Sequence, residues 1–286
     1  MTSRTPRPLR LGIILNHRGT LASLVDDARR AAEIGFDVIL LPDHLGFSPP
    51  LIPLSTIAAA VPAVRVGNCV LNTGFYRPAL LARDLTDVDA ATDGRFEIGL
   101  GTGYVAEEFA EAGLPFLAPG QRVRLLTEHV DAIAAAFTGA SASARQRPPM
   151  MIAGSGDRLL AMAAKKADII TIGALVSEAA LAERVDYIKR EAADRFDEIE
   201  LAFGFFQTSL DDPTDMRIIE MLAPEATDAE RRAMAPVLDG SIAAATDRIA
   251  RMREQLGISY FQFSVITDAM STSWHTLDKL VTAVKA

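Results

Sequence analysis

The stretch RFEIGLGTGYVAEEF, Arg95–Phe109, decides how this chain is read. Its glycines at 99, 101 and 103 come close to the G-x-G-x-x-G turn of a dinucleotide-binding unit. The third arrives one residue early, because Tyr104 stands where that glycine is required. Such a turn also belongs near the start of a βαβ unit, whereas several strand-like runs precede this one. The stretch therefore reads as a strand entering a loop and helix of a different α/β fold.

Working outward, short apolar runs rich in Val, Ile and Phe recur on both sides. They are LRLGIIL, FDVILL and VRVGNCVL before it, and PPMMIAG, DIITIG, IELAFGFF and YFQFSVI after it. With the opening stretch these make eight strand candidates, near-continuously apolar as strands buried on both faces should be. Helical patterns alternate with them: Thr20–Gly35, Pro53–Val61, Arg77–Gly94, Gly120–Phe137, Asp157–Ala167, Leu181–Phe196, Ile242–Gly257 and the closing Trp274–Val284. Strict alternation at this length predicts an α/β fold, a (β/α)8 TIM barrel of about 250 residues plus insertions. An open doubly wound sheet is the alternative. Two connections exceed what a helix needs, the small-residue loop TGASASARQRPP and Asp211–Gly240. The latter is expected as an insertion between strand 7 and helix 8, carrying an added helix around DAERRAMAPVL. No linker or repeat divides the chain, so residues 1–286 read as a single domain.

The composition narrows the partners. With 286 residues, 49% of them hydrophobic and 23% charged, the chain can bury a sizeable core. A formal net charge of -8 argues against nucleic acid and against an anionic membrane surface, leaving a small-molecule substrate. One cysteine, Cys69, allows no intramolecular disulfide or cysteine cluster and fits a reducing compartment. The N-terminus has no apolar run of signal-peptide length, so a cytoplasmic protein is expected. The uncharged run Leu45–Val64 has spanning length, but its four prolines favour a loop and a buried helix over a membrane span.

In such a barrel the working residues stand at the C-terminal ends of strands. Those ends offer Asn16 and His17, Asp43 and His44, Asn72 and Thr73, Thr102 and Tyr104, then Gly154, Ser155 and Gly156, Thr171, Gln207 with Thr208, and Gln262 with Ser264. No lysine occurs before Lys165, which argues against a Schiff-base enzyme, and the single strand-end carboxylate Asp43 leaves a metal short of ligands. A polar, glycine-lined site without a protein nucleophile points to a cofactor that carries the reaction. MMIAGSGDRLLAMAA runs a strand through Ala153, Gly154, Ser155 and Gly156 into a helix, whose free N–H groups suit an anion. The same residues also fit a tight turn capped by Ser155 or Asp157. His17 is a candidate proton donor, or else a loop histidine.

Several motifs together resemble the bacterial luciferase-like superfamily, and more narrowly its coenzyme F420 (deazaflavin)-dependent oxidoreductases. They are PDHLG, VGNCVLNTGFYRPALLARDL, EIGLGTGYVAEEFAEAGLPF, RVRLLTEHVDAI and PPMMIAGSG followed by AAKKADII, in order over about residues 9–270. The resemblance implies a barrel holding flavin or deazaflavin at its C-terminal face, often as a dimer. It places Asp43 and His44 beside the cofactor ring, with His44 also near substrate. It implies a non-prolyl cis peptide at Cys69–Val70 behind the ring, Asn72 at the ring's carbonyl edge, Thr102 and Tyr104 in the pocket, and Ala153, Gly154, Ser155 and Gly156 on the phosphate. On this view the glycines of the opening stretch let backbone approach the ring. Tyr104 stands where relatives place a carboxylate or a tryptophan, and Val105 where an asparagine is frequent, so no catalytic acid is simply inherited. The loop GASASARQRPP is shorter than in many relatives, which suits a more open pocket or a bulky substrate. The implied activity is hydride transfer between F420 and a small organic substrate by a homodimer. The alternatives are a reduced-FMN monooxygenase and a non-catalytic flavin-binding barrel.

Overall fold

A computed structural model describes residues 7–138, 147–173, 175–267, 270 and 272–286. Among them, eight parallel strands close into a barrel: β1 Arg10–Asn16, β2 Val38–Leu41, β3 Arg65–Asn68, β4 Phe96–Gly101, β5 Met150–Gly154, β6 Ile169–Ile172, β7 Glu200–Phe205 and β8 Ile258–Ile266. Each neighbour in sequence is a neighbour in space. β1 closes on β8 from Arg10 opposite Tyr260 to Asn16 opposite Ile266, and β3 meets β4 at Val66 opposite Phe96. The (β/α)8 expectation holds.

The helices are α1 Leu21–Ile34, α2 Leu51–Ala60, α3 Pro78–Ala91, α4 Pro119–Ala136, α5 Asp157–Lys166, α6 Glu178–Ala192, α7 Ile242–Leu256 and α8 Trp274–Lys285. Hydroxyl caps start α1, α6, α7 and α8, where Thr20, Ser177, Ser241 and Ser273 each accept the N–H three residues on. Each helix turns an apolar stripe inward, and the large core lies between the strands and this ring. Leu54 and Ile57 of α2 are fully buried there, so one face of the helix in the uncharged Leu45–Val64 run is core, while Leu45 and Ile52 remain exposed. No helix among the described residues is long and apolar enough to cross a membrane.

The barrel interior is a second, smaller core of Ile14, Val38, Leu40, Met151, Ile169, Ala202 and Tyr260, closed above by Cys69 and Val70. Below it, at the N-terminal ends of the strands, is an ion cluster. Glu97 binds both Arg10 and Arg65, the latter at 2.7 Å, while Arg10 also reaches Glu200 at 2.6 Å and stacks 4.4 Å from the Tyr260 ring. This floor is sealed by charge pairing.

The insertion Asp211–Gly240, expected between strand 7 and helix 8, instead lies between β7 and α7, because β8 separates α7 from α8. It carries two short helices, Arg217–Leu222 and Asp228–Arg232, and a strand, Val237–Asp239, parallel to Gln207–Ser209. The helix anticipated around DAERRAMAPVL is confined to its first five residues. It starts on a Thr227–Glu230 capping box, and Pro236, which has no N–H to offer, stands where the chain turns into the strand. Gln207 pins the insertion: its Oε1 accepts Ile218 N–H at 3.0 Å and its Nε2 donates to the Asp215 carbonyl at 2.9 Å. The loop expected to open the pocket, Gly139–Pro149, lies for the most part outside the described residues.

Candidate active site

The glycines of the opening stretch serve strand three. A Cβ on Gly99 would lie 1.8 Å from the Asn68 carbonyl oxygen, and one on Gly101 would lie 2.5 Å from Val70 Cγ2. Strand three bulges here: the Cys69–Val70 peptide is cis, and pairing with β4 resumes only at Leu71 and Asn72. β4 therefore has no side chain where the bulge crosses it. Gly103, at φ 68°, leaves room for the Asn72 side chain, whose Oδ1 would otherwise be 2.4 Å from a Cβ. The space expected for a bound ring beside these glycines is taken by strand three. Thr73 Oγ1 donates to the Gly101 carbonyl at 2.9 Å, and Arg122 donates to that of Gly103, so the bulge and the β4 loop are tied into one wall. Thr102 lies half-buried within it.

On this wall the structure gathers Asp43, His44, Asn72 and Tyr104. Asp43 Oδ2 accepts the Asn72 N–H at 2.9 Å, and its carboxylate also accepts from the Tyr76 hydroxyl. Burial lifts the Asp43 carboxyl above its ordinary range, and Glu108 adds to the lift; the two hydrogen bonds and nearby His44 oppose it. Burial and the adjacent Asp43 likewise raise the Tyr76 phenol. His44 Nδ1 donates to Glu108 Oε1 at 2.8 Å, and its Nε2 lies 3.5 Å from the Tyr104 hydroxyl, with the two rings edge to face at 5.6 Å. Tyr104 is 64% exposed and stands foremost. Cys69, 3.6 Å from Gln262 Oε1, has its thiol pushed up to about 12 by burial, so it is protonated at neutral pH.

Two residues in this group were not singled out from sequence, Glu108 and Tyr76. Both lie inside recognised motifs, Tyr76 in VGNCVLNTGFYRPALLARDL and Glu108 in EIGLGTGYVAEEFAEAGLPF, and only the fold turns them toward Asp43 and His44.

His17 is not part of the group. Its Nδ1 meets Asp27 Oδ2 at 3.1 Å and Thr267 Oγ1 at 2.9 Å, while Nε2 meets the Thr20 carbonyl and Ser23 Oγ at 3.1 and 3.0 Å. With both nitrogens engaged and its side chain 6% exposed, it locks the start of α1. The proton-donor expectation for His17 is thereby replaced by a structural role.

At the β5–α5 turn, Ala153, Gly154 and Ser155 are half-buried and Gly156 is exposed. The cap of α5 is Gly156, at φ -74° and ψ 143°, with no side chain bonded to the first turn; neither Ser155 nor Asp157 caps it. The Asp157 carboxylate is offset by Arg184 at 2.5 Å. A Cβ at Gly156 would meet nothing within 4 Å, so the turn has open space beside first-turn amides. The open space and the uncapped first turn suit a phosphate. Among the described residues no group of His, Cys, Asp and Glu could hold a metal ion.

The barrel thus sets a bulged third strand beneath a cluster of carboxylate, imidazole and phenol groups at the C-terminal ends of its strands. Residues 8–217 match the family model described as luciferase-like monooxygenase, and the chain belongs to that family. It is 31% identical over 145 residues to the F420-dependent glucose-6-phosphate dehydrogenase of Nakamurella multipartita, covering 47% of this chain and 42% of that one. To the protein of the same name from Intrasporangium calvum it is 33% identical over 120 residues, 37% of this chain and 35% of that one. The chain thus spans less than half the length of the relatives it matches. Among solved structures, an F420-dependent secondary alcohol dehydrogenase in complex with an F420-acetone adduct superposes with TM-score 0.81 at 14% identity, covering 98% of this chain and 100% of that one. A long-chain alkane monooxygenase superposes with TM-score 0.76 at 13% identity, covering 98% and 91%. These two likenesses establish a common fold.

Proposed function

We propose that this protein is an oxidoreductase that uses coenzyme F420 to exchange a hydride with a small organic substrate. It would act as a single domain over residues 1–286 and as a cytoplasmic homodimer. The observation that carries the reading is the His44 imidazole held between Glu108 and Tyr104 directly beside the bulged strand three. Hydride exchange leaves one proton for the protein to handle, and this is a placed group able to handle it.

Bound deazaflavin would supply or accept the hydride at its ring. Asp43, Cys69, Val70, Asn72 and Thr102 would line the ring, and Ala153, Gly154, Ser155 and Gly156 would hold its phosphate. The choice of F420 is supported by the relatives that resemble this chain in sequence, which are named for that cofactor. A reduced-FMN monooxygenase is the second reading, supported by the superposition of the alkane monooxygenase on the same 98% of this chain. Leu45, Ile52 and Leu80, exposed by 37, 72 and 53% on the side of α2 and α3, support a self-association face. Light scattering at micromolar concentration should report a dimer, and a monomer alone would remove that part.

Fluorescence titration of purified apoprotein with both cofactors tests the main reading. F420 should bind more tightly than FMN. FMN binding at least tenfold tighter, about 1.4 kcal/mol, would overturn it in favour of the monooxygenase.

A further inference from the structure

We propose that Tyr104 is the group that exchanges the proton with substrate, that His44 is its acid–base partner, and that Glu108 is the positioning residue behind them. The inference rests on the oxidoreductase reading and specifies its proton path. Glu108 Oε1, 2.8 Å from His44 Nδ1, is a carboxylate that accepts only, so the imidazole proton sits on Nδ1. Nε2 is then left as an acceptor, and the atom facing it is the Tyr104 hydroxyl at 3.5 Å. Apo distances of this kind tighten when the site is filled.

Exposure orders the three groups. Tyr104 is 64% exposed as a residue, whereas the His44 and Glu108 side chains are 28 and 15% exposed. A substrate oxygen approaching from the mouth meets the phenol first, and the edge-to-face packing of the rings keeps Nε2 turned toward it. Glu108 lies on the short helix Ala106–Glu111, four residues past Tyr104. One chain turn therefore carries both ends of the relay.

For an alcohol substrate, the C–H hydrogen leaves with its electron pair, which is the cofactor's share. The O–H proton passes to the Tyr104 oxygen while the Tyr104 proton passes to His44 Nε2, and the C=O bond forms. His44 is then an imidazolium whose Nδ1–H remains on the Glu108 carboxylate, so no new net charge is left unpaired. Reduction of a carbonyl runs the same transfers in reverse.

Nitrogen-15 NMR of His44 in the apoprotein, combined with steady-state kinetics of three variants, tests the proposal. In the wild type His44 should be the Nδ1–H tautomer, and Glu108→Ala should shift it toward Nε2–H. Glu108→Gln, which keeps an acceptor but not the charge, should retain the tautomer yet lower kcat about 10-fold with KM unchanged. Tyr104→Phe should lower kcat by about 100-fold, the low end of general acid–base effects, with F420 titration unchanged. A wild-type Nε2–H tautomer, or Tyr104→Phe turnover within twofold of wild type, would overturn the relay. If F420 fails to bind at all, the cofactor reading falls while the tautomer result still decides the relay.

Discussion

The floor and the mouth of this barrel hold buried carboxylates by different means. On the floor, Glu97 is fully buried and carries two guanidiniums, and Glu200 has Arg10 at 2.6 Å. At the mouth, Asp43 has a backbone N–H and a phenol, and Glu108 has an imidazole. Burial raises both Glu200 and Asp43, but fixed positive charge opposes the rise at the floor, whereas neutral donors and His44 oppose it at the mouth. Permanent counter-charge makes a floor. Donors and a titratable ring leave charge to be completed by a ligand or a moving proton, which is what a reaction site needs.

The largest expected effect comes from breaking the floor. Glu97→Ala leaves Arg10 and Arg65 facing each other without their shared carboxylate, and loss of one partner from a buried pair costs about 3–5 kcal/mol. The cost should fall near 3 kcal/mol, because Arg65 is 34% exposed and can turn toward water. Urea unfolding measures it through the midpoint at unchanged slope. A loss under 1 kcal/mol would mean that the floor is merely a surface-like charge cluster.

The same operation at the mouth should touch activity and spare the fold. His44→Ala removes the base but exposes little new apolar surface, so stability should change by no more than about 0.5 kcal/mol. Turnover should fall by about 10²–10⁴ with cofactor binding nearly intact, because a proton-transfer group acts mainly in the transition state. Stopped-flow or steady-state assays with a saturating cofactor would show it. An equal loss of cofactor affinity would instead make His44 a binding residue.

The comparison also explains what could be read in advance. Strands were legible because all eight are near-continuous apolar runs, a pattern that two-sided burial forces on them. Asp43, His44 and Tyr104 were legible because strand ends are where such barrels work. The same rule misplaced His17, since side chains alternate along a strand: Asn16 turns to Ser264 at 2.9 Å, and the next residue turns outward to α1. Glu108 was not legible. It sits beside Glu107 in a six-residue helix, and only the packing shows that Glu107 faces solvent while Glu108 faces His44. The glycines at 99 and 101 drew attention correctly, but their partner, strand three, comes from 31 residues earlier for Gly99.

A smaller effect separates binding from folding at the α5 turn. Gly156 has the extended backbone of an N-cap and open space at Cβ, so Gly156→Asp should fold and gain a few tenths of a kcal/mol as a better cap. Its carboxylate would occupy the place of a cofactor phosphate and should weaken F420 binding about tenfold, roughly 1.4 kcal/mol. Unchanged affinity in the folded variant would move the anion site off this turn.

The smallest effect tests the mouth by pH. Asp43 has its carboxyl raised in the folded protein, chiefly by burial, so folding favours its protonated form. The contribution of Asp43 to stability is therefore full below the unfolded value near 3.8 and is lost as pH rises through the folded value. An asparagine in its place cannot ionise, yet the amide oxygen can still accept from Asn72 N–H and the Tyr76 hydroxyl. Asp43→Asn should thus match wild type below about pH 3.8 and become the more stable protein as pH rises toward neutrality. Urea midpoints of both proteins across this range give the comparison directly. A gap that narrows with pH would mean that the hydrogen bonds from Asn72 and Tyr76 outweigh burial, and that the mouth holds its carboxylate as firmly as the floor does.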